Sequence, residues 1–515
     1  MVSVGTARRS FRFFLNRMGI LFLAISFMIC LLATVLFLFS PSQTLALPSV
    51  SLSNLQQVLP SYLQSNHRGW WEPAYQESSA FDNYNKNRWN ILYHLGGNGP
   101  WIEKIDGVAD GGINVPEGCE VDMVHMMSRH AERYPTKKAA GRMLDLVARI
   151  KSTGKPLTGD LEFLNRWEYF SDSPDQLEKL TTTGPYAGVL EAFTTGVKLA
   201  TRYKHLRNYS SPSVTYLWAS DSSRVVDTAR HFSAGFFGLE SKEAKVIVVS
   251  EAEDKGGDTL TPGDTCKKYI EDTEKGHDNG YTMLYKFRAT YLPAIADRLS
   301  IQNPGLNFTD AEIYSMQEMC GFETTVRGSS PWCEVFTHSE WRSFEYARDV
   351  IHYYRAGPGT PYSRAVGWLW LNATTNLLLE GPKSAGPLYF TFVHDGDIIP
   401  MLSALGLFDD AEDLPVDRIE EDRQWKTSQV TPMGGRILFE RMTCPTGQYV
   451  RFNVNDGIVP LKGCSDGPGS SCALDAFAEY VEERGKLGGD FRKVCGLGKD
   501  APRALTFLRQ PGFPG

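Results

Sequence analysis

Three short apolar runs, each stopping at a cluster of polar residues, set the pattern of this chain. Residues 121–127 form a β-type run that ends at Ser128, Arg129 and His130. Residues 213–219, with Val214, Tyr216 and Leu217, end at Ser220-Asp221-Ser222-Ser223-Arg224, and residues 388–393 end at His394 and Asp395. Helical spacing follows each of them: 137–150 is basic and amphipathic, 225–237 follows an Asp/Ser-rich start, and 398–407 continues apolar. Strand then helix, three times over, predicts an α/β fold with a parallel-type sheet flanked by helices. In such sheets ligands sit at the carboxyl ends of the strands, near a switch in strand order. The three polar clusters are therefore expected to meet on one crest.

Further helical spacing covers 184–203, with Val189, Phe193, Val197 and Leu199, and a helix-rich stretch covers 310–379. These segments predict an inserted helical subdomain, with insertions near 137–212 and 266–385, that caps the sheet and walls a pocket. The N-terminal end is organised differently. Residues 1–17 carry Arg8, Arg9, Arg12 and Arg17 without an acid, and 18–39 carry no charge at all. That apolar length is about 33 Å of helix, enough to cross a bilayer. It reads as a membrane anchor with a cytosolic N-terminus, or as an export signal cleaved near Thr44-Leu45-Ala46. Both readings deliver the rest of the chain outside the cytosol. Residues 40–88 read as a stem and arm, and the globular body is expected from 89 to 515.

With 515 residues and 42% hydrophobic positions the chain can build one large packed domain or two. The formal charge of −7, with no basic face or arginine-rich tail, argues against a nucleic-acid partner. A local arginine cluster can still hold a small anion, since screening over about 10 Å isolates it from the surface at large. Of nine cysteines, Cys30 lies in the apolar segment. Cys119, Cys266, Cys320, Cys333, Cys444, Cys464, Cys472 and Cys495 remain, an even set that suggests disulfides in an exported chain. No C-x-x-C is present, so a zinc ribbon or thioredoxin-like site is not expected. Sequons at Asn208, Asn307 and Asn372 are compatible with glycosylation on that route. The sequence leaves the oligomeric state open.

The candidate chemistry lies in R-H-A-E-R-Y-P, which places Arg129, His130, Arg133 and Pro135 in the spacing R-H-x-x-R-x-P. One arginine at a strand end is ordinarily solvated or paired with a carboxylate. Several around a histidine suit a phosphomonoester, whose transfer needs spread negative charge held and a leaving oxygen protonated. Arg129, Arg133 and Arg224 offer forked donors to the nonbridging oxygens, and His394 adds one more. His130 then attacks as neutral imidazole, its pKa lowered by the arginines. Asp395 donates a proton to the departing alkoxide, which calls for its protonated form, and then acts as base for the hydrolytic water. Lys137 and Lys138 are candidates for the substrate pocket, with a solvent-facing helix start as the alternative. Asp397, in H-D-G-D, lacks companions at ligand spacing, so neither metal nor other cofactor is expected.

These stretches resemble the histidine acid phosphatase family, in its fungal acid phosphatase and phytase branch. The resemblance rests on S-R-H-A-E-R-Y-P-T (128–136), H-D (394–395), S-S-R-V (222–225), N-I-L-Y-H-L-G-G-N-G-P (90–100) and L-T-T-T-G-P-Y-A-G (180–188). It also takes in the stretch that starts at Asp258-Thr259-Leu260 and runs to Cys266, and it spans about 89–494. It implies a phosphoglycerate mutase-like α/β fold with a helical insertion, and 89–515 as the catalytic domain. It implies His130 as nucleophile, Asp395 as proton donor and Arg129, Arg133, Arg224 and His394 as the phosphate clamp, without a metal. It further implies the pairs Cys119 with Cys444, Cys266 with Cys495, Cys320 with Cys333, and Cys464 with Cys472. The family usually has glycine after the catalytic histidine, where this chain has Ala131. Alanine strains that position if it needs a positive φ. The expected activity is acid phosphatase action on small phosphomonoesters, outside the cytosol or in a vacuole-like lumen. The alternatives are a phytase specialised for inositol hexakisphosphate, and a membrane-tethered protein that binds phosphorylated ligands without turnover.

Overall fold

The computed structural model describes residues 89–207 and 214–513. The basic tail 1–17, the apolar segment 18–39, the whole stem and arm 40–88, and the sequon at Asn208 lie outside the described residues. Every element of the sheet expected from the apolar runs is present. In chain order the main elements are β1 (Glu120–Arg129), α1 (Lys137–Ser152), α2 (Gly188–Arg207), β2 (Thr215–Ser220), α3 (Ser223–Phe237) and β3 (Ala244–Val249). Five helices follow: α4 (Asn279–Arg288), α5 (Leu292–Gln302), α6 (Asp310–Arg327), α7 (His338–Arg355) and α8 (Ser363–Glu380). The chain then returns to the sheet with β4 (Leu388–Val393) and α9 (Asp395–Leu405). It ends with β5 (Arg436–Cys444), β6 (Gly447–Val454), β7 (Gly457–Ile458), β8 (Cys472–Ala473) and α10 (Leu474–Gly488).

The sheet order is β3-β2-β4-β1-β5-β6-β7, with β8 on β6. Its first half is parallel: β2 pairs β3 and β4, and β4 pairs β1. The second half departs from the all-parallel expectation, since β5 runs antiparallel to β1 and β6 antiparallel to β5. A tight turn at Pro445 and Thr446 joins those two strands, a connection open only to antiparallel neighbours. Of the parallel strands, the inner pair β1 and β4 is buried on both faces. Val124 and Met126 of β1 pack with Phe390 and Phe392 of β4 against α2 and α3, while Met123 and Met127 face the larger core on the helical side.

Local chemistry explains the helix limits. Thr136 caps α1 by accepting from the Ala139 amide, and capping boxes start α6 (Thr309 and Glu312) and α7 (Thr337 and Glu340). Helix α2 starts four residues later than the periodicity predicts, because Gly184 takes a φ of +77° that no helix accommodates. Helices α2 and α3 meet backbone to backbone. A Cβ on Gly196 would lie 2.2 Å from the Phe232 carbonyl oxygen, and one on Gly235 2.1 Å from that of Phe193. The disulfides are Cys119–Cys444, Cys266–Cys495, Cys320–Cys333 and Cys464–Cys472, the pairing the resemblance implies. Asn307 is exposed, whereas Asn372 is half-buried within α8 and its Thr374 fully buried.

Candidate active site

Register brings the polar clusters together. Arg129 pairs with Val393 across β1 and β4, so the next residues, His130 and His394, leave the sheet side by side, with ring centroids 5.7 Å apart. Arg224 enters from the start of α3, its Nη2 3.3 Å from His394 Nδ1. Asp395 opens α9, and its Oδ2 lies 3.1 Å from Arg129 Nη2. The crest expected from the sequence therefore holds Arg129, His130, Arg224, His394 and Asp395 as direct neighbours. Arg133 completes the cluster from the loop after β1, stacked over Phe322. Lys137 and Lys138 stand exposed on the first turn of α1, and among the described residues no side-chain hydrogen bond or ion pair ties them to the cluster.

His130 is set up in one tautomer. Its Nδ1 lies 2.9 Å from the Ala131 carbonyl oxygen, an atom that can only accept, so Nδ1 carries the proton and Nε2 keeps its lone pair. The backbone around it is fixed at both ends: the His130 amide donates to Val393 O, and His130 O accepts from the Gly434 amide. The Ala131 amide donates to Thr228 Oγ1, which in turn donates to Arg224 O, so one hydroxyl ties the nucleophile loop to the helix that carries Arg224. Ala131 itself is not among the residues with positive φ, and it packs with Leu180 and Ala192. The strain considered for this position is absent. Glycine matters instead at Gly188, where a Cβ would lie 2.0 Å from Glu132 O, beneath the loop.

Charge in the cluster is unbalanced. Burial, then Arg129, Arg133, Arg224 and His394, hold the His130 imidazole well below its ordinary pKa, so it is neutral in mild acid. Burial and the neighbouring Arg224 and Arg129 pull the Arg133 guanidinium down to about 9. The Nε atoms of Arg129, Arg133 and Arg224 are buried without a hydrogen-bond partner. Such donors are costly unless an anion arrives to take them. Asp395 sits among these cations. Burial favours its protonated form, but Arg129, His352, Arg355 and His130 outweigh burial and keep the carboxyl well below the usual range. The free site thus holds Asp395 ionised rather than protonated, and a bound phosphoryl dianion is what would cancel the surrounding positive charge.

Several residues near the crest were not singled out from sequence. Arg348, His352 and Arg355 line one face of α7, and Arg348 Nη2 donates to His352 Nε2 at 3.0 Å. Their i, i+4, i+7 spacing on a mostly buried helix was the available signal. Glu251, two residues past β3, lies 3.4 Å from His394 Nε2. Asp397 serves its own helix: its Oδ2 accepts the His394 amide. Among the described residues no group of three or more His, Cys, Asp or Glu side chains could hold a metal ion.

Comparison with known proteins agrees with this geometry. A phytase of Candida albicans is 35% identical over 445 residues, covering 85% of this chain and 93% of the relative. An acid phosphatase of Komagataella pastoris is 35% identical over 433 residues, covering 82% and 90%. The constitutive acid phosphatase of Saccharomyces cerevisiae is 32% identical over 419 residues, covering 79% and 87%. Among solved structures, the phytase from D. castellii superposes with a TM-score of 0.76 at 31% identity, covering 81% of this chain and 90% of the other. Residues 120–455 match the histidine phosphatase superfamily (branch 2), and with relatives of this identity along most of its length the chain belongs to that family.

Proposed function

We propose that this phosphatase hydrolyses phosphomonoesters through a phosphohistidine on His130. The observation that carries the reading is the fixed tautomer of His130, whose free Nε2 sits among three arginines with buried, unpartnered Nε donors. In the first step a bond forms between Nε2 and phosphorus while the bond to the leaving oxygen breaks. Arg129, Arg133, Arg224 and His394 hold the nonbridging oxygens, and Asp395 gives its proton to the leaving oxygen. In the second step water attacks phosphorus, its proton passes to Asp395, and the phosphorus–nitrogen bond breaks. Because the free site keeps Asp395 ionised, its protonation is linked to arrival of the phosphoryl charge and is favoured in acid. Replacing His130 with alanine is expected to abolish the phosphoenzyme and nearly all turnover. Full activity in that variant would overturn the mechanism.

A second reading, action on inositol hexakisphosphate, draws on Arg348 and Arg355, cations beyond the four-residue clamp that act on Asp395 and Arg129. It also draws on the relatives named phytases in Candida albicans and D. castellii. Comparing kcat/KM on phytate and on a small aryl phosphate separates the two. The four disulfides support delivery through the secretory pathway. No described helix is long and apolar enough to cross a membrane, and anchoring through 18–39 rests on the sequence alone.

A further inference from the structure

Three of the four parallel strands deliver an assigned residue to the crest: β1 ends in Arg129 and leads to His130, β2 leads to Arg224, and β4 leads to His394 and Asp395. The fourth, β3, pairs with β2 to Ser220↔Val249, and the chain then places Glu251 at the same edge. Its Oε1 is 3.4 Å from His394 Nε2, is buried, and has no hydrogen-bond partner. On the other side of the same imidazole, Nδ1 faces Arg224 Nη2 at 3.3 Å. A guanidinium can only donate, so Nδ1 is the acceptor and the ring proton lies on Nε2, toward Glu251. In this state His394 has no proton to offer a phosphoryl oxygen.

We infer that Glu251 is a positioning residue of the phosphate clamp: its carboxylate faces His394 Nε2 as a counter-charge, so that phosphate binding brings a second proton onto Nδ1 and turns His394 into a cationic donor. The inference rests on the phosphatase reading above. A bound phosphoryl group attracts the Arg224 guanidinium to its own oxygens and leaves Nδ1 facing an anion, where only a protonated nitrogen can bond. Glu251 supplies the opposite charge that makes this protonation favourable, as carboxylates do for histidines that must carry charge. The groups facing His394 are consistent with one carboxylate doing this. Asp397, on its own helix, is engaged with the His394 amide. Arg224 and His130 face it from α3 and the end of β1. Asp264 and Arg355 act on the same region from the loop after β3 and from α7, with opposite signs. Glu251 itself is held ionised first by its contact with His394, against burial, with help from Ser220 and Arg224.

The test uses the full-length chain and inorganic phosphate as the probe, with calorimetry in buffers of different ionisation enthalpy between about pH 5 and 8. The wild-type protein is expected to take up a proton on binding phosphate. Glu251→Gln is expected to lower that uptake to the part that belongs to Asp395 and to weaken phosphate binding roughly 10-fold or more, as for a lost charge-assisted contact. Glu251→Asp is expected to restore part of both. In a His394→Ala background, Glu251→Gln is expected to add nothing. Unchanged affinity and proton uptake in Glu251→Gln, or an equally large loss in the His394→Ala background, would overturn the inference while leaving the phosphatase reading intact. A wild-type chain with no affinity for phosphate would overturn the phosphatase reading, and this inference with it.

Discussion

In the antiparallel half of the sheet, Arg202 and Arg451 both reach the fully buried Glu440, at 2.7 and 2.6 Å, and Tyr203 donates to the same carboxylate. At the crest of the parallel half, Arg129 shares Asp395, while among the described residues Arg133 and Arg224 have no carboxylate at ion-pair distance. The electrostatic consequences are opposite. Around Glu440, burial is outweighed on both sides: Tyr203 and Glu440 strengthen the hold of Arg202 on its proton, and Arg202 and Arg451 keep Glu440 ionised. At the crest, burial and like charges add up and weaken Arg133. Buried arginines matched by a carboxylate hold the fold, whereas arginines clustered around a histidine without one suit the binding of an anion.

This contrast predicts which variants lose function and which lose stability. The largest effect is His130→Ala, expected to lower kcat on the order of 10⁵-fold with little change in thermal unfolding. A variant that unfolds early instead would make the crest structural. Next, Glu440→Gln strands two buried guanidinium groups and is expected to cost about 3–5 kcal/mol in denaturant unfolding, with normal turnover in the folded fraction. Near-neutral stability there would break the comparison from the other side. Arg133→Ala is expected to lower kcat/KM about 10²–10³-fold, while its melting temperature holds or rises because like charges are relieved.

The smallest effect concerns His125, which sits in mid-β1, fully buried, stacked on Tyr389 and with both ring nitrogens unpartnered. Burial pulls its pKa down to about 3. The unfolded chain therefore binds a proton below about pH 6.5 that the folded chain refuses, and stability is lost as pH falls from there toward about 3. His125→Phe is expected to gain about 1–3 kcal/mol relative to wild type near pH 4.5 compared with pH 8, read from paired unfolding curves. An identical pH dependence in both proteins would show that His125 is not the group responsible.

The parts legible in the sequence are those where apolar and polar positions separate cleanly. Strand β4 ends where its apolar run ends, β1 and β2 run one or two residues further into their polar clusters, and His130, Arg224 and His394-Asp395 lie just beyond. The β5–β6 hairpin was not legible for a physical reason. Glu440 and Arg451 interrupt its apolar pattern, and they are register partners that satisfy each other across the two strands. The cations of α7 were hidden similarly, since a buried arginine on a helix looks like a solvated one until its neighbours are known. The ionised state of Asp395 also had to come from three dimensions, because His352 and Arg355, two of the groups that set it, lie 40 or more positions away.

The central claim is that the unmatched cations serve a nucleophile at His130. Its most direct measurement is a rapid-quench experiment into alkaline denaturant with a ³²P-labelled phosphomonoester, followed by peptide mapping. Label on the peptide containing His130, formed and discharged at rates that account for turnover and absent in His130→Ala, is the expected result. Turnover without a labelled intermediate, or label carried on another residue, would contradict it.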